Sequence, residues 1–130
     1  MKYMLIMNGT RAAFDEYMNW PKKDLEANVA FMHAFARKLD ASGELVDTKG
    51  LGVPARAKRV RAGKNGVPIT DGVFPESKEF LAGYWVVEVD SPERAYEIAA
   101  EASTAPGPGV GDEPFWIEVR EVLGSYKDLK

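Results

Sequence analysis

The sequence predicts an α+β domain on the ferredoxin-like plan, βαββαβ, with one inserted hairpin. Three observations point there. Tyr3–Met7 and Phe80–Val89 are apolar at alternate positions on both sides, as central strands are. Two other segments carry apolar residues at helical spacing between recognisable ends. Lys64-Asn65-Gly66 is the strongest hairpin-turn signal in the chain.

The elements run in chain order. Tyr3–Met7 ends at Asn8-Gly9, a turn dipeptide. Thr10 to Trp20 is mixed and holds Phe14, Tyr17 and Trp20, enough for a short helical turn. Pro21 suits a first helical position. After it Leu25, Val29, Met32, Ala36 and Leu39 recur at spacings of three and four, and Phe31 and Phe35 widen that stripe. Gly43 supplies the left-handed residue that stops the helix. Glu44 to Gly50 is a weak strand, and Gly52 and Pro54 break the extended pattern after it. Arg56 to Ala62 reads as a polar, half-exposed strand that turns at Asn65-Gly66 and returns through Val67 to Thr70, ahead of a second turn at Asp71-Gly72.

Phe80 to Val89 alternates Trp85, Val87 and Val89 against Tyr84 and Val86. Ser91-Pro92-Glu93 opens a helix with a cap, a first-turn proline and an early acid. Its apolar side is Ala95, Tyr96, Ile98, Ala99 and Ala102. Ser103 to Pro114 is a proline- and glycine-rich loop. Phe115 to Leu123 is the last strand, with Phe115, Ile117 and Val119 on one face, and residues 124–130 read as an exposed tail of a single domain, 1–130.

Composition narrows the chemistry. The 130 residues include no cysteine, which excludes disulfides, thiol catalysis and zinc-thiolate sites. A single histidine excludes multi-histidine metal sites within one chain. A formal charge of −3 argues against general nucleic-acid affinity. The apolar run at the N-terminus is too short for a signal-peptide core, and no stretch approaches the ~20 apolar residues of a membrane helix. The expectation is a cytoplasmic protein with no cofactor, no metal, no nucleic-acid partner and no membrane partner.

The plan also predicts an assembly. Its first and third main strands are central, and both helices cover one sheet face, so the second apolar face is left over. A soluble monomer rarely exposes such a patch. Covering ~400 Å2 at ~25 cal/mol/Å2 is worth roughly 10 kcal/mol before association costs. The same face of a second copy is the simplest cover, giving a two-fold homodimer of stacked sheets, a dimeric α/β-barrel type assembly.

The stretch Ile69-Thr70-Asp71-Gly72-Val73-Phe74-Pro75-Glu76-Ser77-Lys78-Glu79 resembles the signature of the DGPF group of YCII-related bacterial proteins. Lys2-Tyr3-Met4-Leu5-Ile6, Gly43-Glu44-Leu45, Leu81-Ala82-Gly83-Tyr84 and Ile117-Glu118-Val119-Arg120 are similar to that family as well. The resemblance spans nearly the whole chain. It implies a ferredoxin-like fold, usually dimeric, with no settled biochemical role; relatives in the wider family carry a proposed catalytic histidine and aspartate. Here Val73 replaces the signature proline, His33 falls one position from the family's histidine, and the aspartate position falls near Ala102 and Ser103.

Each candidate residue has a functional and a plainer reading. His33, the only side chain with an unperturbed pKa near neutrality, is a candidate catalytic base; otherwise it is a boundary residue at the flank of the helix stripe. Asp71 is a candidate orienter for it, with Glu76 and Glu79 nearby; otherwise it caps its own turn. Asp71, Phe74 and Lys78 are expected at a pocket mouth, with Arg59 and Tyr84 as further ligand-binding residues. Arg56, Lys58, Arg59, Arg61 and Lys64 form an anion-binding patch or a charged edge that resists aggregation. Trp85, Tyr84, Trp116 and Phe115 frame a pocket or fill the core and dimer interface. Gly107-Pro108-Gly109-Val110-Gly111 precedes a strand rather than a helix, so it is a connection or lid and not a phosphate loop. The leading functional expectation is a homodimeric small-molecule-binding or regulatory module. The alternative is a cofactor-free enzyme, isomerase or monooxygenase-like, using a sheet–helix pocket; a third reading is a protein-interaction module using the basic hairpin.

Overall fold

A computed structural model describes residues 1–72, 79–108 and 114–124. The apolar run at the N-terminus forms strand β1 (Lys2–Gly9), followed by helices α1 (Arg11–Met18) and α2 (Lys22–Ala41) and strand β2 (Leu45–Gly50). A 3-10 turn at Pro54–Arg56 leads to the hairpin strands β3 (Arg59–Ala62) and β4 (Pro68–Asp71). The chain closes with β5 (Phe80–Glu88), α3 (Pro92–Ala102) and β6 (Glu118–Glu121). The main sheet is antiparallel with strand order β2-β5-β1-β6; β3 and β4 form a separate two-stranded ladder. A single chain therefore makes an open α+β sheet, not a closed barrel.

Local chemistry explains the boundaries. The Thr10 hydroxyl accepts the Ala13 N–H at 3.1 Å and caps α1, so the segment expected to hold a short helical turn carries an eight-residue helix. Ser91 does the same for α3, accepting the Arg94 N–H at 3.2 Å. Pro21 sits just before α2 as its cap residue instead of inside it. Gly43 stops α2 at φ +78°, and Asn65 and Gly66 turn the hairpin at φ 63° and 75°, all in the left-handed region. The buried Pro54 starts a 3-10 turn that ends on Arg56, so the expected strand from Arg56 begins only at Arg59. The last strand is shorter than the sequence suggests. It pairs with Tyr3–Ile6 alone. Phe115–Ile117 therefore stay outside the ladder.

The core lies between one sheet face and helices α2 and α3. Tyr3, Leu5, Trp85, Val87 and Val89 meet Phe35, Leu39, Ala95, Ile98, Ala99 and Ala102 there. The buried stripe of α2 is rotated from the expected one: Phe35 and Leu39 are buried, whereas Val29 is 45% exposed. Aromatic area decides the rotation. Phe31 stacks on Phe35 at 5.9 Å, and Phe35 meets Trp85 edge-on at 5.6 Å. On α3 the small residues face the sheet and Tyr96 turns to solvent. Gly83 is needed where β5 meets β2, since a Cβ there would stand 2.8 Å from the Lys49 carbonyl oxygen.

One ion pair ties the α2–β2 turn to α3. Arg94 donates through Nε to Glu44 Oε2 at 2.8 Å and through Nη2 to Oε1 at 2.9 Å, and the Ser42 hydroxyl adds a 2.8 Å bond to the same carboxylate. The Arg94 hydrogen bonds, aided by Ser42, hold Glu44 down at about 2 against an ordinary 4.5. Glu44→Gln should cost about 1–2 kcal/mol, a modest figure because Arg94 is 39% exposed and solvent screens the pair. The folded pKa is depressed, so this stabilisation is complete above the unfolded pKa and fades as pH falls from 4.5 toward 2. Urea melts of the two proteins across that acid range should converge as pH drops.

Candidate functional site

The hairpin brings two of the expected residues together. Arg59 and Asp71 are cross-strand partners, and Arg59 Nη2 lies 3.0 Å from Asp71 Oδ2. The Gly72 N–H donates to Asp71 Oδ1 at 2.8 Å. The Gly72 amide, then the Arg59 guanidinium, holds Asp71 below the ordinary carboxylate range. Both oxygens thus have donors, an arrangement that keeps the group ionised at neutral pH. All eight residues of the two hairpin strands are exposed.

His33 lies exposed on α2, and among the described residues its ring has no hydrogen-bond partner; its carbonyl accepts from Arg37 Nε at 3.3 Å. The structure therefore joins Asp71 to Arg59 and Gly72 and gives it no hydrogen bond to His33. Phe74 and Lys78, within residues 73–78 of the signature stretch, lie outside the described residues, as do 109–111 of the expected connection or lid and 125–130 of the expected tail. Trp85 is in the core, Phe115 is half-buried, and Trp116 is 96% exposed.

Tyr84 belongs to a different constellation, on the sheet face away from the core. Its hydroxyl donates to Asp47 Oδ2 at 3.0 Å, while Lys49 Nζ donates to Asp47 Oδ1 at 2.7 Å. The Lys49 ammonium and then the Tyr84 hydroxyl hold Asp47 below its usual range, and Asp47 in turn pushes both Lys49 and Tyr84 up. The strand registers extend this cluster into two rows across all four strands. One row runs Asp47, Val86, Met4, Arg120; the next runs Lys49, Tyr84, Ile6, Glu118. Paired positions share a face, so each row is a line of neighbouring side chains. Met4, Ile6, Tyr84 and Val86 are half-buried at the centre, with charged residues at both edges. Arg120 and Glu118 approach to 3.7 Å on the β6 edge.

Composition did not reveal Asp47 and Lys49 as a unit. The readable signal was the i, i+2 spacing of opposite charges, Asp47–Lys49 and Glu118–Arg120, on two strands of the same sheet. Spacing of two on a strand puts both charges on one side.

Two grooves open elsewhere. One, of about 360 Å3, lies between α3 and the approach to β6, lined by Tyr96, Ala99, Ser103, Phe115, Trp116 and Ile117. The other, of about 350 Å3, lies between residues 51–57 and the start of β5, lined by Leu51, Val53, Pro54, Arg56, Phe80 and Leu81. The Arg11 guanidinium sits 5.3 Å from the centre of the Phe80 ring. Among the described residues no group of three or more histidine, cysteine or acidic side chains is placed to hold a metal ion, and no helix is long and apolar enough to cross a membrane.

The family model of the YCII-related domain matches residues 1–110. No curated protein matches the chain.

Proposed function

Because the chain belongs to the YCII-related family, we propose that it is a homodimeric small-molecule-binding or regulatory module of the DGPF type, cytoplasmic, with the ferredoxin-like plan as its protomer. The strand order β2-β5-β1-β6 and the two helices on one face support that plan. The observation that carries the dimer is the charge order of the two rows. Asp47 and Arg120 end the first; Lys49 and Glu118 end the second with the signs exchanged.

A two-fold axis between two such faces lays apolar centre on apolar centre. If the axis runs along the strands, Asp47 meets the other copy's Arg120 and Lys49 meets its Glu118. If it runs across them, Asp47 meets Lys49 and Glu118 meets Arg120. Both settings match opposite charges, and rim charges of this kind set specificity more than affinity. Burying Met4, Ile6, Tyr84 and Val86 supplies the affinity.

Charge exchange tests the arrangement. Asp47→Lys should weaken association about tenfold. Adding Arg120→Asp should restore it for the axis along the strands; adding Lys49→Asp should restore it for the axis across them. Sedimentation equilibrium reads all three variants. A wild-type species of 14.4 kDa at micromolar concentration would overturn the dimer.

Arg59 and Asp71 serve this function by fixing the base of the signature loop, and Phe74 and Lys78 of that loop remain candidate ligand contacts. The enzyme reading, with His33 as base and Asp71 as its orienter, has weaker support. His33 is exposed without a carboxylate partner among the described residues, and neither residue lines the sheet–helix groove beside α3.

A further inference from the structure

We propose that the groove between residues 51–57 and the start of β5 binds small organic anions, a carboxylate or phosphate group carried on an apolar body. The inference rests on the reading of the protein as a small-molecule-binding module and names the ligand class and the place.

The walls supply the apolar half. Leu51, Val53, Phe80 and Leu81 line the groove, with Leu51 46% and Leu81 40% exposed until something covers them. Its volume, about 350 Å3, falls within the range of small-ligand sites. The walls are also fixed in place. The Leu51 N–H donates to the Ala82 carbonyl at 2.8 Å and clips the segment to β5. The Arg56 N–H donates to the Val53 carbonyl at 3.1 Å, and the Ala57 N–H to Pro54 at 3.0 Å, so Arg56 stands on a 3-10 turn begun by a buried proline. A preformed site does not spend binding energy on ordering itself.

Two arginines supply the charge. Arg56 lines the groove directly, and Arg11 lies against the ring of Phe80, one of its walls. In this acidic chain Arg59, Arg94 and Arg120 each hold a carboxylate. Among the described residues Arg11, Arg37, Arg56 and Arg61 do not, and of these four only Arg56 lines this groove and only Arg11 lies on one of its wall residues; Glu79, adjacent to Phe80 in sequence, pairs with neither of those two. A guanidinium offers a planar fork that fits carboxylate and phosphate oxygens two at a time, and stacking on an aromatic ring orients it beforehand. An apolar slot with Arg56 in its lining and Arg11 on the ring of one wall residue, neither holding a carboxylate among the described residues, is complementary to an amphiphilic anion and repels the matching cation.

Calorimetric titration of the full-length protein with four probes of one body tests this: phenylacetate, phenyl phosphate, neutral 2-phenylethanol and cationic 2-phenylethylamine. Both anions should bind, phenylethanol at least about tenfold more weakly, and the amine not at all. Arg56→Gln should reduce anion affinity by about tenfold, with Arg56→Lys between it and wild type and Arg11→Gln showing a smaller loss. Amide shifts in nuclear magnetic resonance should centre on Leu51, Arg56, Phe80 and Leu81. Both arginines are exposed, so an unchanged thermal melt of each variant establishes that it is folded. Equal binding of phenylethanol and the anions would overturn the proposal. So would anion binding that survives the double substitution Arg11→Gln/Arg56→Gln, or shifts that centre on the groove beside α3. Silence of all four probes would overturn it too. A broad metabolite screen by thermal shift separates the two levels: a hit there leaves the binding-module reading standing without the anion site, and no hit removes both.

Discussion

Ile6→Asp is expected to convert the proposed dimer into a 14.4 kDa monomer at micromolar concentration. Ile6 is one of the two inner members of the row Lys49–Tyr84–Ile6–Glu118, on a central strand and half-buried in the isolated chain. A carboxylate there is solvated in the monomer and loses that solvation when the faces close. The effective penalty is several kcal/mol for each buried, unpaired ion, roughly, and two-fold symmetry imposes it twice. The row also places Glu118 next to the new charge, adding repulsion across neighbouring strands. The fold should survive, because the helix-side core does not include Ile6. Sedimentation velocity with far-ultraviolet circular dichroism on the same sample checks both halves. An intact dimer would show that the sheets do not stack through this face.

Trp85→Ala is expected to have the largest effect on stability, about 3–5 kcal/mol. Trp85 is 5% exposed on the central strand β5, directly opposite Leu5 of β1 and Thr48 of β2. Its ring receives Phe35 edge-on at 5.6 Å, and Phe35 is stacked on Phe31. Removing the indole takes away its own burial and the surface that orients both α2 phenylalanines. A domain of this size has on the order of 5–15 kcal/mol in total, so this one change uses up a large share. Trp85→Phe keeps an aromatic edge contact and should cost about 1–2 kcal/mol. Urea unfolding followed by circular dichroism gives both values. A loss below about 1 kcal/mol for the alanine variant would mean that α2 repacks freely over the sheet.

Much of this architecture arises from rules that act on single residues or pairs. Gly43, Asn65 and Gly66 occupy the left-handed region that their identities favour. Ser91-Pro92-Glu93 begins a capped helix, and the alternation of Trp85, Val87 and Val89 marks the buried side of β5. The hairpin turn even contains the Arg59–Asp71 pair, since residues equidistant from Asn65 face each other. The features that the sequence left open depend on partners distant along the chain. The facing side of α2 depends on where Trp85 stands, and the skipped Ala82 opposite Met7 and Asn8 appears only once β5 is laid against β1. Helix α1 is harder to read: Phe14, Tyr17 and Met18 stand three and four residues apart, but the helix has only eight residues and buries none of them. The candidate site was legible in its residue types and not in its pairings. His33 and Asp71 stood out by chemistry, whereas the Tyr84–Asp47–Lys49 cluster exists only through strand register.

The β3–β4 ladder pairs with no strand of the main sheet, and both its strands lie open to water. Its strand pairing is therefore local, set by its own turn and cross-strand register. Such an arm is modular: its tip at Asn65-Gly66 can be lengthened, recharged or transplanted from a relative without repacking the body. Divergence among homologues can then concentrate there while the helix-backed sheet stays under tight constraint.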